Sequence, residues 1–85
     1  MPYHMYLVSV VWMHDSTKNV FLTNELEEAV IYATDYMRWA NEINDAFQPD
    51  FAFIELFTNH KPDRVVYEVE RGGKGRAIDT KRKAP

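Results

Sequence analysis

The sequence predicts a two-layer α+β domain: a four-stranded, mainly antiparallel sheet with one long helix on one face, in the order ββαββ, followed by a disordered basic C-terminal tail. Three observations carry this expectation. Apolar residues near both ends of the body run or alternate over strand-length segments, whereas those in the middle recur at helical spacing. Turn-forming clusters separate these segments. Charge then divides the chain, because residues 1–70 hold twelve acids against four bases and residues 71–85 hold six bases against one acid. The formal net charge of −3 therefore conceals a bipolar molecule, with 1–70 expected as the compact domain and 71–85 as a flexible Gly/Lys/Arg-rich extension.

Met5 to Met13 is a nearly unbroken, Val-rich apolar run that ends at His14-Asp15-Ser16-Thr17-Lys18-Asn19, the pattern of a buried strand and its turn. Val20 to Thr23 supplies a short partner strand. Asn24 with Glu27 three residues later resembles a capping box, and apolar residues follow at Leu26, Ala29, Val30, Ala33, Met37, Ala40 and Phe47. Pro49 stops that helix. Phe51 to Thr58 reads as the third strand, Asn59-His60-Lys61-Pro62-Asp63 as a turn, and Val65, Tyr67 and Val69 as a half-buried fourth strand.

Two mismatches follow. Both sets of alternating positions on the strands are apolar, so a single helix leaves one sheet face in need of a cover. A helix from Glu25 to Phe47 would span roughly 35 Å against about 25 Å for a strand, so it must overhang or break near Asn41 or Asn44. An overhang carrying Ile43 and Phe47 would suit a second subunit or another protein; folding back onto Phe51 would cap the core instead.

Bulk properties exclude several classes. With no cysteine, the chain has neither a disulfide framework nor a thiolate metal site, which fits a reducing compartment. No run reaches the ~18–20 apolar residues of a membrane span, and the N-terminus lacks the order of a signal peptide, so a soluble cytoplasmic protein without membrane association is expected. All twelve aromatic residues lie between Tyr3 and Tyr67, enough for a real core in a small domain.

At about 100° per residue, Tyr32, Tyr36, Trp39 and Ile43 line the border of the apolar helix face. Aromatics at a border offer large contact area with a polar handle, the composition of protein interfaces, although they also serve simply to cover a sheet edge. Glu28, Asp35 and Glu42 recur every seven residues on the opposite side, with Asp45 beyond them. Such carboxylates are either solvated or mimic a phosphate backbone toward a protein that grips nucleic acid. In the tail, Arg71, Lys74, Arg76, Lys81, Arg82 and Lys83 suit phosphates or another anionic surface; the simpler reading is a disordered solubilising terminus, and a third is that the tail folds back on its own acidic body.

Catalytic patterns are weak. His14-Asp15-Ser16 are immediate neighbours and cannot converge as a triad. His4, His14 and His60 follow no ligand spacing; His4 and His60 should share an end of the sheet, where Asp63 completes at best a partial site. The three glycines precede no helix, so no phosphate-cradling loop is expected. Glu55 stands among Phe53 and Phe57; burial would favour its neutral acid, but pairing with Arg64 across the sheet is the simpler expectation.

The expected function is therefore a small non-enzymatic protein-binding module that modulates or inhibits a partner, homodimeric, with no cofactor and no metal. In style it resembles the accessory proteins by which phages and mobile elements modulate a host protein. The contact surface would be Tyr32, Tyr36, Trp39 and Ile43, oriented by Glu28, Asp35 and Glu42. The alternative is a nucleic-acid-associated protein using the basic tail, or an acidic nucleic-acid mimic.

Overall fold

A computed structural model describes residues 3–12, 16–42 and 49–78. It holds β1 (His4–Trp12), β2 (Ser16–Thr23), α1 (Leu26–Glu42), β3 (Phe51–Thr58), β4 (Lys61–Glu70) and β5 (Gly75–Ala77). All strands join one antiparallel sheet in the order β2-β1-β3-β4-β5. The fold is α+β, as expected, but the sheet has five strands rather than four and the order is ββαβββ.

The fifth strand corrects the expectation of a disordered tail beginning at residue 71. Gly72 and Gly73 adopt φ of 89° and 94°, which glycine reaches without the cost a Cβ imposes. The turn they form is closed by Gly73 N–H donating to the Glu70 carbonyl at 3.0 Å and Glu70 N–H donating to the Lys74 carbonyl at 2.8 Å. Gly75, Arg76 and Ala77 then pair with Val69, Glu68 and Tyr67. Arg-Gly-Gly is thus a hairpin turn.

The core lies between α1 and one face of the sheet. Val8 and Val10 of β1, Ala52 and Ile54 of β3 and Val69 of β4 meet Ala29, Ala33 and Met37 of the helix, all of them buried. Alanine at 29, 33 and 40 lets the helix backbone approach the sheet closely, while Met37 fills the space between. Leu26, expected in this stripe, is instead 39% exposed in the first turn.

Helix entry also differs from the expected Asn24–Glu27 box. The Thr23 hydroxyl accepts from Glu25 N–H at 3.2 Å and donates to the Glu28 carboxylate at 2.6 Å. Thr23 is the last residue of β2 and is buried, so it ties strand to helix where exposed Asn24 cannot. The described helix ends at Glu42; at about 1.5 Å per residue its 17 residues match the strands in length. The expected overhang, Ile43 to Phe47, lies outside the described residues.

The β3–β4 turn is tighter than expected. Thr58 pairs with Lys61, leaving Asn59 and His60 as a two-residue loop with φ of 53° and 71°, the type I′ geometry that suits a hairpin's twist. Asn59 clamps the chain start: its N–H donates to the Tyr3 carbonyl at 2.7 Å and its side-chain oxygen accepts from Tyr3 N–H at 2.9 Å.

Candidate functional site

Helical spacing places Tyr32, Tyr36 and Trp39 on the side of α1 nearest β2. The Tyr32 ring stacks on Phe21 of β2 with centroids 4.4 Å apart and planes 3° from parallel. Tyr36 follows at 6.4 Å from Tyr32, and Trp39 meets Tyr36 edge-on at 6.0 Å. Four rings therefore run in series from an edge strand along the helix, the first pair stacked, the second tilted and the third edge-to-face.

This row floors a groove of about 590 Å³ lined by Phe21, Glu28, Ile31, Tyr32, Asp35, Tyr36 and Trp39. Ile31 is 59% exposed and Trp39 56%, large apolar surfaces that packing of the described chain does not use. Burial, and secondarily the neighbouring Tyr32, pushes the Tyr36 hydroxyl above the ordinary tyrosine range.

The acidic face divides. Glu28 and Asp35 line the groove, and the Thr23 hydroxyl holds Glu28. Exposed Glu42 is not in that lining. Ile43 and Asp45 lie outside the described residues. Sequence reasoning missed Phe21 and Ile31. Ile31 carried a signal, an apolar residue three after Glu28 and four before Asp35 on an otherwise charged stripe; Phe21 did not, since only the placement of β2 beside β1 brings it under the helix edge.

Among the tail cations, Arg71 bonds Asp50 at 2.9 Å and the Pro49 carbonyl at 3.3 Å, fastening the entry of β3. Arg76 pairs with Glu68 at 3.2 Å. Both spend charge on the acidic body. Exposed Lys74 sits in the turn, while Lys81, Arg82 and Lys83 lie outside the described residues.

His4 and His60 do share an end of the sheet, through the pairing of His4 with Thr58, while His14 and Asp15 lie outside the described residues. The His60 ring lies 5.2 Å from that of Tyr3, and Asp63 accepts from the Thr58 hydroxyl and pairs with Arg64. Among the described residues no three His, Asp or Glu side chains cluster as metal ligands. The expected Glu55–Arg64 pair is not formed. Register shifts in β4 set Val65 opposite Glu55 and Arg64 opposite Leu56, so the two side chains occupy opposite faces.

No family model, curated protein or solved structure matches the chain. No helix among the described residues is long and apolar enough to cross a membrane.

Proposed function

We propose that this chain is a non-enzymatic protein-binding module whose docking surface is the groove between α1 and β2. The observation that carries this reading is the ring series Phe21, Tyr32, Tyr36 and Trp39, floored on the sheet and opening to solvent beside Ile31. Rigid aromatic side chains provide contact area at low entropic cost and predominate among binding hot spots.

Charge selects the occupant. Glu28 and Asp35 stand on the rim of an apolar floor, so the complementary segment bears an aliphatic or aromatic anchor flanked by Arg or Lys, the latter also able to lie over the Trp39 or Tyr36 face. Exposed Glu42 would extend this surface at the end of the described helix. Action is by occupancy of the partner, modulating or inhibiting it, and the lack of cysteine in all 85 residues supports a cytoplasmic setting.

Affinity capture tests the reading. Tyr36→Ala with Trp39→Ala should abolish retention of partners that the wild-type chain holds, whereas removal of residues 79–85 should leave it intact. Retention that survives the double substitution but disappears with the truncation would move the function to the basic terminus and the nucleic-acid alternative.

A further inference from the structure

The sheet face away from α1 offers a second surface, independent of the helix-edge groove. Cross-strand pairing places Leu22 of β2, Met5, Leu7 and Val11 of β1, Phe51, Phe53 and Phe57 of β3 and Val65 of β4 together on it. Among the described residues there is a single helix, and it packs on the other face. We propose that this face closes on the same face of a second copy, giving a four-layer α/β/β/α dimer.

Three features favour a second copy as occupant. The first is area. Four long strands at ~4.8 Å and eight residues at ~3.3 Å give a projection of roughly 500 Å² per copy, so two faces bury at least about 1,000 Å², the threshold for a specific interface.

The second is polar satisfaction. Ser9, buried at the centre of this face, already bonds Asn19 at 2.9 Å, and Glu68 already pairs with Arg76. Most of the face can therefore become dry without stranding a donor or acceptor. Among the described residues its one cross-strand ion pair is internally neutralised, leaving Glu55 and the edge residue Glu70 as its uncompensated charges.

The third is the disposition of the remaining charge. Glu27, Glu28, Asp35 and Glu42 lie on the helix, which a face-to-face dimer turns outward. With layers ~10 Å apart, the two helices stand about 30 Å from each other, several Debye lengths at physiological salt, so the helix carboxylates do not oppose association.

Exposed Glu70, opposite Phe51, stays at the rim of this face, whereas Glu55 is the exception within it. It occupies the central strand between Leu7 and Val65, without Arg64 to pair with it. An unpaired carboxylate there weakens a dry interface, and its replacement by an apolar side chain should strengthen it. That direction cannot be produced by misfolding.

The test is the solution mass of the full chain from about 1 to about 100 μM, by sedimentation and light scattering, for wild type and three variants. Wild type should pass from monomer to dimer within this range, Phe53→Glu should stay a folded monomer by circular dichroism, and Glu55→Leu should dimerise at least about tenfold more tightly. Tyr36→Ala with Trp39→Ala should leave the mass unchanged. A monomeric wild type across this range, a dimer indifferent to Phe53→Glu and Glu55→Leu, or a dimer dispersed by the Tyr36/Trp39 substitutions would each overturn the proposal.

Discussion

Gly75→Ala should detach the last strand. A Cβ at this position would lie 2.7 Å from Cε2 and Oη of Tyr67 and 3.0 Å from Cζ, where ordinary contact begins at 3.4 Å. Something must therefore move by roughly 0.7 Å, an overpacking that costs about 1–3 kcal/mol. Tyr67 is packed against the core, whereas β5 is a three-residue edge strand, so the strain should be relieved by β5 leaving rather than by Tyr67 moving. The amide of Ile78, which donates to the Val66 carbonyl at 2.9 Å, reports that opening by hydrogen exchange. Its exchange should accelerate about 5- to 150-fold, while amides of β3 change little. Adding Tyr67→Ala should remove most of the effect of Gly75→Ala, since the atoms that clash are gone. An Ile78 amide that exchanges at the same rate with glycine or alanine at 75 would refute the packing of β5 on Tyr67.

Two further outcomes follow from single positions. Because folding raises the Tyr36 hydroxyl above its ordinary value of 10.0, the folded state holds this proton more tightly than the unfolded chain. The contribution is complete below pH 10 and is lost as pH rises through the folded value, so urea midpoints should fall with alkalinity and Tyr36→Phe should reduce that slope. At His60, with φ of 71°, denaturation should rank Gly at least as stable as His, because relief of backbone strain offsets the lost Tyr3 contact. Val should be about 1–2 kcal/mol less stable, since a β-branched side chain is poorly tolerated at positive φ.

Much of this architecture is written in local pattern. The third strand occupies Phe51–Thr58 as its apolar run implies, and β1 differs from its run by one residue at each end. Tyr32, Tyr36 and Trp39 line up because 100° per residue is a property of any helix. What escaped depended on contacts distant in sequence. Gly72-Gly73 reads as flexibility until the turn is seen to return the chain to β4, and Gly75 reads the same way until Tyr67 is seen to exclude a side chain there. Arg71 and Arg76 count as tail charge in a composition, yet their partners Asp50 and Glu68 belong to the body. Bulges in β4 separate Glu55 from Arg64, and a one-residue slip of that kind changes which face a side chain occupies. Thr23 rather than Asn24 tends the helix start, because a buried strand end is held where an exposed residue is not.

Selection of a random peptide library on the immobilised chain, with the Tyr36→Ala/Trp39→Ala variant as counter-target, tests the docking groove most directly. The predicted result is enrichment of peptides that combine an aliphatic or aromatic anchor with Arg or Lys, that perturb Trp39 fluorescence on binding, and that lose affinity for the variant. Enriched peptides that bind wild type and variant equally, or whose charge is acidic, would contradict the assignment of this groove as the docking surface.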